Sequence, residues 1–331
     1  MAHENPSILL ILFILSKLPR QSCRNNLPLL TPPFLKSGDT VALVAPASHA
    51  AYDKLQAAFR ILRDDWGLNV LEGLSVQSRH YQFSGSDDLR RRDLQQMLDH
   101  PDVRAILAVR GGYGSYRLLD SLDFTAFLKQ PKWMVGFSDI TAIHCHLHRL
   151  GVQSLHAIMP KQFGDDGTTE AIESLRQWLF GEAIDPYRSP ANSLNRPGMT
   201  SGQLVGGNLS LLMNMLGTPS DPDYRNKILF IEDIDETLFA LDRAMCQLRR
   251  AGRLQQLAGL LVGQFTDMRL SELSPFGKTA NEIIAEHVSD YAYPVCFDFP
   301  VGHVPNNLTL PVGRSAVLNV GAAAGASLTF V

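Results

Sequence analysis

VRAILAVRGGYGSYRLLDSLD, residues Val103–Asp123, runs from a strand through a tight turn into a helical pattern. Val103–Val109 is a short apolar run, as a buried strand requires. Gly111, Gly112 and Gly114 crowd the turn, and glycine is the residue that tolerates positive φ and close backbone approach. Leu118, Leu119 and Leu122 then recur at helical spacing. A serine at such a turn, Ser115, projects its hydroxyl at the carboxyl end of the sheet. It also sits where the free amides of a helix N-terminus can hold an oxyanion. These are the parts of a nucleophile elbow, although Gly-Tyr-Gly-Ser-Tyr-Arg lacks the second glycine of G-x-S-x-G. Two other readings stay open on these residues alone. One is a phosphate-binding loop, weakened because no Lys-Ser/Thr pair follows Gly114. The other is a plain tight connection.

The same alternation extends outward. Thr40–Ala45 (TVALVA), Asn69–Leu71 and Trp133–Phe137 read as strands. Residues 53–66, Asp87–Asp99 behind a Ser86 cap, and Ile140–Leu150 before Gly151 read as helices, with Asp139 placed to cap the last of them. Strands alternating with helices predict a parallel sheet covered on both faces. After the Gly- and Pro-rich stretch 164–200 come strands at Gln203–Gly206, Lys227–Glu232 and Leu257–Val262. Helices are predicted from Asn208, over Thr237–Arg250 and over Lys278–Ser289. Four short strands, Pro294–Phe299, Leu308–Val312, Ala316–Val320 and Ser327–Val331, close the chain. The fold class is therefore α/β: an N-terminal parallel-sheet domain (35–163), a linker (164–200) and a C-terminal α/β domain with a β-rich end (201–331). A chain of 331 residues is more than one core usually supports. Residues 1–34 read as an extension or targeting segment outside the fold. Its apolar run Ile8–Leu15 is shorter than the about 20 residues a spanning helix needs. No Lys or Arg precedes that run, and Arg20–Ser22 makes a poor cleavage site for export. Pro19–Pro33 reads as linker.

Composition narrows the function. The chain is 45% hydrophobic and 19% charged with net charge −3, ordinary for a soluble enzyme. No basic stripe points to nucleic acid, and Arg90-Arg91-Arg92 reads as the solvated face of a helix. Cys23, Cys145, Cys246 and Cys296 form no CxxC pair, so neither a zinc site nor a disulfide framework is expected, and the usage fits a reducing compartment.

A serine nucleophile needs a base. Of ten histidines, His303 stands apart on a stiff Gly/Pro-bounded loop, PVGHVPNN, after a buried strand. A loop histidine bonded to nearby backbone is the alternative. His144 and His148 share a helix face at metal-site spacing, but no third ligand is evident, and His144 is equally a packed residue near the site. His156 is placed to line the cleft. The acid that orients the imidazole is sought at a strand end: Glu232 closes ILFIE, with Asp233, Asp235 and Glu236 as rivals better suited to starting the next helix.

Six segments in order, LKSGDTVALVAPAS, RGGYGSYRLLDSLD, GFSDITAIH, GGNLSLLMNMLGTP, ILFIEDIDE and PVGHVPNNLTLPVG, resemble the LD-carboxypeptidase family of serine peptidases over roughly Leu35 to Val331. The resemblance implies a Ser-Glu-His triad of Ser115, Glu232 and His303, and it is what selects Glu232 over its acidic neighbours. It also implies an oxyanion hole of backbone amides, for which Gly112 and Tyr116 are the candidates. Ser138, Asp139 and Asn208 lie in its motifs and are expected to shape the cleft, with a helix N-cap an equal reading for Asn208. The implied activity is release of terminal D-alanine from murein tetrapeptides in cell-wall recycling, by a cytoplasmic homodimer without metal or organic cofactor. A carboxypeptidase must also bind a free terminal carboxylate, and Arg110 and Arg117 are candidates, with a surface or structural ion pair the favoured reading of each. A related branch, which cleaves a peptide-nucleotide antibiotic, is the nearest rival, and a non-catalytic phosphate-binding α/β protein is the rival from another class. With Ser115 on one domain and Glu232 and His303 on the other, the site is expected at their interface. Domain movement would then make or break the triad. The N-terminal extension and the linker depart from the family pattern.

Overall fold

The computed structural model describes residues 29–270, 275–321 and 325–331. The first half supplies β1 (Thr40–Val44), β2 (Asn69–Glu72), β3 (Val103–Ala108), β4 (Trp133–Gly136) and β5 (Ser154–His156). The rest supplies β6 (Tyr187–Ser189), β7 (Gly198–Asn208), β8 (Lys227–Ile234), β9 (Gly259–Thr266), β10 (Val295–Cys296), β11 (Leu310–Val312), β12 (Ser315–Val320) and β13 (Ala326–Phe330). Two sheets result, ordered β11-β5-β4-β3-β1-β2 and β10-β9-β8-β7-β12-β13-β6. β1 to β5 pair in parallel, as do β7 to β10. β3 and β8 are buried almost throughout, which is why they read as apolar runs and not as alternating patterns. The closing strands β12 and β13 run antiparallel, the β-rich end expected from the sequence.

Local signals account for many of the helix ends. Ser86 Oγ accepts the Leu89 N–H at 3.2 Å to start Asp87–Asp99, and Gly151 at φ 85° ends Thr141–Leu150. The predicted single helix over 53–66 instead passes from a 3₁₀ turn through Gln56–Arg60 into a π-turn at Ile61–Asp65. The Trp66 N–H reaches Ile61 O, and the indole packs against Phe163 and Phe180.

Three further features differ from the sequence reading. The segment 164–200 carries a helix, Thr169–Phe180, whose Ala171, Leu175, Trp178 and Leu179 join the core under the first sheet, and its β6 edges the second sheet. Most of the extension expected over 1–34 lies outside the described residues. Where it is described it touches the fold: Leu30 pairs with Val152, and Phe34 stacks on Trp133 at 6.2 Å. Finally, β11 comes from the C-terminal half yet pairs antiparallel with β5 in the first sheet. One hydrophobic cluster also draws on both sheets, from Val44 and Ile106 to Val205, Leu229 and Ile231. Among the described residues no helix is long and apolar enough to cross a membrane.

Three histidines are part of this core. His144 bonds Ser154 Oγ and Gly136 O, each at 2.8 Å, tying its helix to β4 and β5. Burial lowers His144 and His148 to about 4 and His156 well below the ordinary value. A histidine kept neutral by the fold stabilises it fully above the unfolded value near 6.5, and loses that contribution as pH falls toward the folded value. For His144 and His148 this amounts to roughly 3 kcal/mol each by pH 4. Asp233, raised to about 6 by burial and by the Glu232 charge, works in the opposite sense and offsets one proton. Urea unfolding should therefore show stability falling by about 1–3 kcal/mol per pH unit near pH 5, from net uptake of one to two protons. A flat profile from pH 7 to 5 would contradict this account.

Candidate active site

Ser115 lies on the turn leaving β3, with no exposed surface. The turn is gripped from two sides. Below it, the buried carboxylate of Asp139 accepts the N–H groups of Gly114 (3.2 Å) and Ser115 (2.7 Å), while Ser115 Oγ donates to the Asp139 carbonyl at 2.7 Å. Burial raises the Asp139 pKa, and the amide bonds work against that rise. On the other side, Arg90 donates to Gly114 O at 3.0 Å and to Pro46 O, and pairs with Asp87. Gly114 has φ 135°, and a Cβ there would stand 2.6 Å from Arg90 Nη1, so glycine is what lets the guanidinium close on the backbone. Arg90, expected on a solvated face, is fully buried. It lies on the helix face turned toward the turn, while Arg91 and Arg92 pair with Asp88 at the surface.

The expected helix after Ser115 is absent. The chain makes i→i−3 turns (Arg117 N–H to Gly114 O, Leu118 N–H to Ser115 O) and a 3₁₀ turn at Leu119–Ser121. The amides of Gly114 and Ser115 are also taken by Asp139, so they are not free for an oxyanion. Gly112 and Tyr116 donate their N–H groups to nothing among the described residues, which leaves those two amides available.

Glu232 is fully buried at the carboxyl end of β8. Its Oε2 lies 2.7 Å from His303 Nδ1. A carboxylate oxygen only accepts, so Nδ1 carries the proton and Nε2 presents its lone pair. The loop reaches the acid through Gly302, at φ 125°, where a Cβ would meet Glu232 Cβ at 3.0 Å. The Gly302 N–H is held by Asn307 Oδ1 at 2.9 Å. Burial lowers the His303 pKa, but the hydrogen bond and charge of Glu232, with Asp233 and Asp267, outweigh it and hold the pKa above its ordinary value. The ring lies 4.9 Å from Phe137, which in turn neighbours His156 at 5.7 Å. His156, expected to line the cleft, is fully buried and edge-on to Phe230 at 5.1 Å; it supports the ring stack from beneath. Phe137 O and Ser138 Cβ stand 3.2 and 3.0 Å from a Cβ built on Gly111, so the His303 ring and the nucleophile turn flank the same strand end. Ser115 and His303 are not hydrogen-bonded to each other.

The models of the LD-carboxypeptidase N-terminal and C-terminal domains match residues 41–157 and 201–318. The chain belongs to the LD-carboxypeptidase family. A probable murein peptide carboxypeptidase of Bacillus subtilis is 35% identical over 87% of this chain and 91% of its own. The murein tetrapeptide carboxypeptidase of Pseudomonas aeruginosa is 31% identical over 84% and 92%. The crystal structure of muramoyltetrapeptide carboxypeptidase from Oxalobacter formigenes superposes with a TM-score of 0.78 at 31% identity, covering 88% of this chain and 98% of that one.

In this LD-carboxypeptidase chain the remaining expected residues take definite places. Asn208 is both an N-cap, its Oδ1 accepting the Leu211 N–H at 3.2 Å, and a partner of Asp233 at 2.8 Å. Asp233 lies within β8, one residue before its end, accepts also from Ser210, and does not start the next helix as expected. Ser138 holds φ 61°, an unusual left-handed conformation for serine. Asp139 does not cap its helix but holds the Ser115 turn. Arg90 was missed because burial of one arginine in a run of three leaves no mark in composition.

If His303 is the base, activity appears only when it is neutral. A raised pKa therefore places the acid limb of kcat/KM above the ordinary histidine position. Glu232→Gln removes the raising charge and leaves burial, so the limb should move down, toward or below 6.5, while kcat falls. An unmoved limb would show that the titrating group is not His303.

Proposed function

We propose that the protein is a serine-type LD-carboxypeptidase that removes the terminal D-alanine from murein tetrapeptides. The observation that carries the reading is the His303–Glu232 contact at 2.7 Å, which leaves Nε2 free on a ring that packs against Phe137, at the end of the strand next to the one that leads into the Ser115 turn. Ser115 Oγ gives up its bond to the Asp139 carbonyl, passes its proton to His303 Nε2 and attacks the carbonyl carbon of the L,D-amide. The Gly112 and Tyr116 amides take the oxyanion. Glu232 holds the imidazolium. His303 then protonates the amine of the departing D-alanine, and a water activated by the same imidazole releases the tripeptide from Ser115. The reading includes action in the cytoplasm as a homodimer, as the resemblance implies; size-exclusion chromatography tests the second part.

The direct test is mass spectrometry of a defined murein tetrapeptide after incubation with the purified protein, with a peptide-nucleotide amide as a parallel substrate. Loss of one alanine from the tetrapeptide is the expected outcome. Cleavage of the nucleotide conjugate alone would move the protein to the antibiotic-immunity branch.

A further inference from the structure

Two cations stand at the base of the nucleophile turn with no carboxylate paired to them among the described residues. Arg110, the residue before Gly111, is half-buried and donates from Nη1 to His49 O at 2.6 Å. Its Nε lies 3.9 Å from the Cβ position of Gly112, beside one of the two free amides. Lys161 is brought alongside by its own backbone N–H, which donates to Val109 O at 3.0 Å. Its ammonium is partly buried and feels the fields of Arg110 and Lys54, with only Asp165 acting in the other direction. Neither cation forms an ion pair among the described residues. Arg117, the other candidate for the same role, is committed: its Nε and Nη2 both bind Asp87 Oδ2. The segment that carries Lys161 also reaches the His303 loop, since a Cβ at Gly167 would stand 3.2 Å from Pro305 Cβ and Asn306 donates to Glu170 at 2.6 Å. The chain that follows Lys161 thus links the foot of the Ser115 turn to the His303 loop.

Like charges held together and part-desolvated are unfavourable until an anion arrives. The planar guanidinium fork matches a carboxylate, and a lysine adds a point charge. We propose that Arg110 and Lys161 form the site that binds the terminal carboxylate of the substrate, making the enzyme a carboxypeptidase and not an endopeptidase. The inference rests on the function proposed above and assigns the group that function leaves unassigned.

The test compares a tetrapeptide ending in free D-alanine with the same peptide ending in D-alaninamide. Wild type should prefer the free acid in kcat/KM by about 100-fold, the worth of hydrogen bonds to a charged group. Arg110→Met and Lys161→Met should each raise KM for the free acid about tenfold or more and shrink the preference, with Arg110→Lys keeping part of it. Thermal melts confirm folding, and Lys161→Met and Arg110→Lys carry the test if Arg110→Met fails to fold. Folded variants with wild-type KM and undiminished preference would overturn the assignment while leaving the peptidase reading intact. Wild type that cleaves neither peptide would sink that reading, and this site with it.

Discussion

Ser115→Ala should reduce turnover of a murein tetrapeptide by about 10⁴-fold or more, the scale seen when a nucleophile is deleted from a Ser-His-acid unit. Folding should barely register the change. The hydroxyl makes one hydrogen bond, to the Asp139 carbonyl, worth about 1 kcal/mol net. The turn itself is held through backbone groups, by Asp139 on the amide side and Arg90 on the carbonyl side. The discriminating measurement pairs turnover with urea unfolding. Loss of activity at nearly unchanged stability identifies the nucleophile, and a variant with near-wild-type rate would remove Ser115 from the chemistry.

Arg90→Met should do the reverse, destabilising the protein by about 2–4 kcal/mol, the cost of leaving two buried carbonyls without their donor. The guanidinium has no exposed surface. Its removal strands the carbonyls of Gly114 and Pro46 and loosens Asp87, which then pairs with Arg117 alone. The Ser115 turn loses its grip on one side, so kcat should fall more than KM rises in whatever fraction remains folded. Arg90→Lys, which keeps a charge but not the fork, should recover part of both losses. Wild-type stability in Arg90→Met would show that methionine packing replaces the network.

What could be read in advance followed the physics of each signal. β1, β3 and β8 were legible because strands buried on both faces must be apolar runs. The Ser86 cap and the Gly151 terminus were legible because those backbone positions favour few residue types. The Ser115 turn was legible because three glycines crowd one strand end. The role of Asp139 was not. A carboxylate before a helix is read as a cap, and only tertiary structure shows it turned toward amides of the neighbouring turn. The burial of His156 and Arg90 was hidden for the same reason, since a polar residue in sequence carries no sign of which neighbour will enclose it. β11 could be read as a strand, but not its partner, because three residues of apolar sequence do not encode the sheet they will join.

That strand has a bearing on biosynthesis. Leu310–Val312 is translated long after β5, yet it forms the edge of the sheet whose β3 leads to Ser115. Domains ordinarily fold in order of emergence from the ribosome, but here the amino-terminal sheet takes its edge strand from the later half of the chain. His303 lies between β10 and β11, so its loop is anchored by that same strand. A polypeptide cut between β10 and His303 would thus lack both that edge strand and the proposed base, and under the proposed chemistry it should be inert.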